Sequence, residues 1–115
     1  MDFFHPNWYV LFFWLVVFHF LADYPLQGDF LAQAKDRHSK LGQMFWYHAL
    51  PAHGAIHAGF VMLATGVLWM AIVEWLAHVL IDYLKCEKLI DLDVDQFLHL
   101  VTKVVLVYGW VLCSH

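Results

Sequence analysis

Residues 48–83, HALPAHGAIHAGFVMLATGVLWMAIVEWLAHVLIDY, stay apolar for 36 residues. As one helix the stretch would run about 54 Å, nearly twice the roughly 30 Å of bilayer hydrocarbon, so it is either a very long rod or a hairpin. Thr65-Gly66, close to its middle, supplies the turn, because Gly accepts the backbone angles a tight reversal needs. The reading predicts helices over 48–64 and 67–86.

Working outward, residues 7–24 (NWYVLFFWLVVFHFLADY) hold 15 aliphatic, aromatic or alanine residues and no Lys or Arg. That is about the length of one membrane-crossing helix. It lacks the basic n-region and small-x-small site of a cleaved signal peptide, and Pro25 ends it. A further apolar run covers 95–113, with Gly109 as its one helix-weakening residue. The expected fold is all-α: a four-transmembrane-helix bundle with helices at 7–24, 48–64, 67–86 and 95–113. Residues 1–115 are expected to form a single integral membrane domain. Composition agrees, since 63% of the 115 residues are hydrophobic and 14% charged, whereas soluble domains run near half apolar and a quarter charged. So short a soluble chain could not hide that much apolar surface in one core. A net charge of −4 without a basic patch argues against nucleic-acid binding.

Residues 25–47 mix Phe30, Leu31, Leu41, Met44, Phe45 and Trp46 with charges, which suits an interfacial segment, helical in part, better than a floppy loop. Lys35, Arg37 and Lys40 lie in this segment, and Lys85 and Lys88 lie between helices three and four. Both basic loops therefore fall on one side, expected to be the cytoplasmic face, with both termini on the other, which in a bacterial inner membrane, as the resemblance below implies, is periplasmic. Lys103 is inside helix four and does not bear on orientation. Cys86 and Cys113 are expected at opposite ends and unpaired. The Trp and Tyr residues near helix ends read as an interfacial aromatic belt. His5, His38 and His115 read as solvated, as do Asp29, Asp36, Glu87, Asp91 and Asp93, with Asp93 a candidate helix cap. His48 stands at the mouth of helix two.

Every predicted helix also carries ionisable residues, each costing ~2.5–3.5 kcal/mol at a bilayer centre. They are His19 and Asp23; His53 and His57; Glu74, His78 and Asp82; and Asp95, Gln96 and His99. The spacing of four recurs, which stacks each set along one helical face, and the orientation puts all four sets in the cytoplasmic half. A hairpin turning at 65.5 opposes positions that sum to 131, so His57 faces Glu74 and His53 faces His78. Imidazole and carboxylate donors suit a divalent metal, zinc first, with manganese or iron as alternatives, as one or two ions. The candidate ligands are His19, Asp23, His53, His57, Glu74, His78, Asp82 and His99, and the candidate general bases are Glu74, Asp82 and Asp95. Gln33, Lys35 and Arg37 lie over this cluster, where they either hold an anionic head group or only set topology.

The runs HFLADYPLQGDFLAQAK (19–35), HALPAHGAIHAGF (48–60), EWLAHVLIDYLK (74–85) and DQFLH (95–99) resemble a small uncharacterised membrane-protein family of bacteria and their phages, along nearly the whole chain. That family more distantly resembles membrane-bound metal-dependent hydrolases, in which His and Asp pairs on transmembrane helices are taken as metal ligands. The resemblance implies the same polar positions as a metal centre and transfers no substrate.

The expected function is a metal-dependent hydrolase acting on an amphiphilic lipid phosphate or acyl substrate at the cytoplasmic leaflet, with membrane lipid as its surroundings and an anionic amphiphile as its partner. The alternatives are a metal or proton transporter or small channel, and an interaction protein whose metal only holds the bundle together. Oligomer formation stays open. The outer half offers few polar steps beyond Lys103, Thr65, Thr102 and Tyr108, which weighs against a transport path. Ser39, Ser114 and Cys86 lie away from the cluster, so no Ser or Cys nucleophile is credible.

Overall fold

The computed structural model describes residues 7–24 and 26–114; the expectations at His5, Pro25 and His115 lie outside these. The chain is all-helical among the described residues: α1 (Trp8–Asp23), α2 (Gly28–Ala34), α3 (Gly42–Thr65), α4 (Leu68–Cys86) and α5 (Leu92–Ser114).

The α3–α4 turn falls where the sequence puts it. Gly66 takes a left-handed φ of 70° and donates its N–H to Met62 O, and Thr65 Oγ1 ties the corner by donating to Val61 O and accepting from Val67 N. Residues 25–47 contain a short helix, α2, turned 84° from α1. Two boundaries differ from expectation. Helix α3 begins six residues before position 48, because Ser39 Oγ accepts the Gly42 N–H at 2.8 Å and Gln43 N reaches Ser39 O. Helix α5 begins at Leu92, and its cap is Asp91, whose Oδ1 accepts from Val94 N at 2.8 Å, rather than Asp93.

The four long helices form a closed ring of neighbours, α1 on α3, α3 on α4, α4 on α5 and α5 on α1, while α2 lies against α3. The α3–α4 contact is close at Gly54, where a Cβ would stand 2.7 Å from Val79 Cγ2. Pro51, inside α3, uses its carbonyl to accept the Trp75 indole N–H at 3.0 Å.

The interior has two layers. Near the Gly66 turn, Leu11, Leu15, Val61, Ala64, Met70, Leu106, Val107 and Trp110 make an apolar core. Towards the other end, His, Asp, Glu and Lys side chains from all four long helices are buried, among apolar neighbours such as Ala22, Leu50 and Ile81. The outside is the reverse of a soluble protein's: on α4 Leu76 is 69% exposed and Glu74 0%, and on α5 Phe97 is 64% exposed and Lys103 2%. Leu92–Cys113, with a mean hydropathy of 1.5, is long and apolar enough to cross a membrane.

Candidate metal centre

Asp23, the last residue of α1, is the hub of the polar layer. Its Oδ1 stands 3.0 Å from both His53 Nε2 and His57 Nε2 on α3. Its Oδ2 accepts from Gln96 Nε2 on α5 at 2.9 Å, and Gln96 Oε1 in turn faces His19 Nε2 at 3.1 Å. The i, i+4 spacing is what lets His19 and Asp23 point the same way, and it does the same for His53 and His57.

A second group forms around Asp82 on α4. Lys35, just past the end of α2, donates to Asp82 Oδ2 at 3.0 Å. The same oxygen lies 3.4 Å from His78 Nε2 and 3.6 Å from His53 Nε2, while Oδ1 lies 3.4 Å from His99 Nε2. His99 Nε2 is also 3.3 Å from Asp95 Oδ1. Three imidazoles stack flat through the centre, His57 on His78 at 3.6 Å and His78 on His99 at 4.1 Å.

Deeper still, Lys103 of α5 ion-pairs with Glu74 Oε1, and Glu74 Oε2 lies 3.4 Å from His78 Nδ1. The hairpin register thus holds for His53 and His78, whose rings are 5.0 Å apart. His57 instead lies on His78, and the ionic partners of Glu74 are Lys103 and His78.

Two sets of ligand atoms converge: Asp23, His53, His57 and His78, and His78, Asp82 and His99, each within 4.8 Å of one another and all buried. Both nitrogens of His78 and both of His99 are buried without a hydrogen bond, as is Asp95 Oδ1. A buried polar atom left unpaired is costly, and several converging imidazole and carboxylate donors are the chemistry that divalent zinc, manganese or iron accepts. These groups could hold a metal ion.

A pocket of about 90 Å³ leads to the cluster from the loop end, lined among others by Asp23, Gln27, Lys35, Asp82, Asp95 and Gln96. Of the three residues read as lying over the site, Lys35 alone reaches it. Gln33 is exposed, and Arg37 is held by both Glu87 oxygens at 2.6 and 2.7 Å. His38 also binds Glu87, at 2.8 Å, so neither it nor Glu87 is simply solvated. The Arg37 hydrogen bonds hold the Glu87 carboxyl down to about 2 and push the guanidinium up. His48 is exposed and Ser39 caps α3. Lys103, counted in the sequence among the few polar steps of the outer half, belongs to the cluster; the signal for it is its place four residues beyond His99, on the stripe that starts at Asp95. Gln96, a member of the helix-four set, bridges His19 and Asp23.

Fold and cluster together define the chain as an all-helical protein with a buried His/Asp centre able to take a metal ion. Residues 11–115 match the family described as Protein of unknown function (DUF3307), and the chain belongs to that family. No curated protein and no solved structure matches the chain.

Proposed function

We propose that the protein is an integral membrane hydrolase, metal-dependent, acting on an amphiphilic lipid phosphate or acyl substrate at the cytoplasmic leaflet of a bacterial inner membrane. The observation that carries the reading is the pair of ligand sets sharing His78, reached from the loop end and closed at the other end by the apolar core. The apolar exterior supports four spans. Helices of 16, 24, 19 and 23 residues rise about 24–36 Å, and among the polar residues that lower the hydropathy of α3 and α4 are the buried His53, His57, Glu74, His78 and Asp82 of the cluster. The Arg37–Glu87 and Lys35–Asp82 pairs bring both basic loops to one end, consistent with a cytoplasmic face there and periplasmic termini.

Bound in this centre, zinc, manganese or iron supplies Lewis acidity and an acidified water. His53, His57, His78, His99, Asp23 and Asp82 would be its holders. Asp23 also draws His53 and His57 together, and Glu74, fixed by Lys103, lies 3.4 Å from His78 Nδ1. Asp95 is the carboxylate left to act as general base: it lines the pocket and its Oδ1 lacks a hydrogen bond. Gln96, bonded to both Asp95 and Asp23, keeps the two carboxylates in register. A transport path would need polar steps through the other half, where Leu11, Leu15, Met70 and Leu106 meet instead.

The test is release of phosphate or fatty acid from lipid in mixed micelles with and without Zn2+ or Mn2+. Metal-dependent release that falls at least 100-fold in His57→Ala and His78→Ala, about what loss of a key group costs, is the expected result. Absence of any release, with metal flux through liposomes abolished by the same substitutions, would replace hydrolysis by transport.

A further inference from the structure

Lys35 is a buried cation, 6% exposed, in the middle of the ligand field: Asp82 Oδ2, which it holds at 3.0 Å, is also 3.4 Å from His78 Nε2. A divalent ion taken by His78, Asp82 and His99 would draw on that same carboxylate. Two cations beside one carboxylate repel each other, the more strongly the less water lies between them. Loading the centre therefore weakens the ammonium's hold on Asp82 and favours an anion that sits between the two cations. The lysine stem is flexible and its head carries three donors, and the pocket beside it of about 90 Å³ is also lined by Lys85.

We propose that Lys35 is the anion-recognition residue of this centre: its ammonium rests on Asp82 until metal claims that carboxylate, and then takes a phosphate group of the substrate. This deepens the hydrolase reading and rests on metal binding at the cluster. It selects a phosphomonoester or pyrophosphate over a neutral acyl ester, because a neutral ester would leave the displaced ammonium buried without a counter-charge, a costly arrangement. Phosphate can bridge a metal and an ammonium at once. Arg37 cannot share the task while Glu87 holds it through two hydrogen bonds. Binding is then coupled and reciprocal: phosphate tightens metal, and metal tightens phosphate.

The test is Mn2+ binding to the full chain in detergent, followed by electron paramagnetic resonance, with and without inorganic phosphate. In the wild type, phosphate is expected to tighten Mn2+ at least ten-fold. Lys35→Met is expected to bind Mn2+ at least ten-fold tighter than wild type without phosphate, and to lose the phosphate effect; Lys35→Arg keeps it. Single-chain lipid phosphomonoester micelles acting at far lower concentration than inorganic phosphate would identify a lipid head group, and equal potency a free phosphate. Mn2+ binding that phosphate does not change in the wild type overturns the role of Lys35 alone, whether or not Lys35→Met folds. No Mn2+ or Zn2+ binding in the wild type overturns the hydrolase reading with it.

Discussion

Asp23 joins three helices, since its carboxylate meets His53 and His57 of α3 and Gln96 of α5. Asp23→Asn keeps the shape and removes the charge that steadies those imidazoles. Zn2+ affinity is expected to fall about 10–100-fold, as for other carboxylates that orient metal-binding histidines, and calorimetric titration checks it. Glu87 gives a pH signature at the surface. Its carboxyl is lowered from an ordinary 4.5 to about 2 by the Arg37 hydrogen bonds, so its contribution is fully present above pH 4.5 and is lost as pH falls towards 2. Glu87→Gln should therefore melt below wild type at pH 7 and together with it at pH 2; a gap that persists at pH 2 would count against this pairing. The members of each stripe were legible in the sequence because i, i+4 spacing on a helix has one geometric meaning. The partners across helices were not. That Lys103 meets Glu74, or that Lys35 meets Asp82, depends on helix rotation and on a short helix, α2, that no spacing fixes.

At the scale of elements, the α3–α4 hairpin was the most legible feature, because an apolar run too long for one span needs a turn and Gly66 supplies one with φ 70°. Helix starts were harder. Capping by Ser39 and Asp91 is local hydrogen bonding that several nearby polar residues could equally have provided. Two substitutions probe the helix ends and contacts. Gly54→Ala would thrust a methyl to 2.7 Å from Val79 Cγ2, and overpacking of this kind costs about 1–3 kcal/mol. Lys88 ends α4 at a left-handed φ of 64°, with Lys88 N on Lys85 O and Leu89 N on Leu84 O. Lys88→Gly, relieving that conformation, is expected to stabilise the protein by roughly 0.5–1 kcal/mol. Thermal melting in detergent reads both, and opposite signs are expected.

The whole molecule combines a polar interior at one end, an apolar core at the other and an apolar exterior, an arrangement that suits lipid as solvent. Composition made the apolar character legible at once, and the common depth of the polar groups followed from the alternating direction of the helices. Orientation is testable through the two free thiols, Cys86 at the loop end and Cys113 at the other. With Cys86 replaced by Ser, an impermeant maleimide should label Cys113 in cells whose outer membrane alone is permeabilised. With Cys113 replaced by Ser, Cys86 should stay unlabelled until the inner membrane is opened. The central claim is that imidazoles and carboxylates from four helices form one metal centre. Its most direct test is elemental analysis of detergent-purified protein after Zn2+ loading and desalting. About one or two ions per chain, lost in folded His57→Ala and His78→Ala variants, is the predicted result; a wild-type chain that retains none, or variants that retain the same amount, would contradict it.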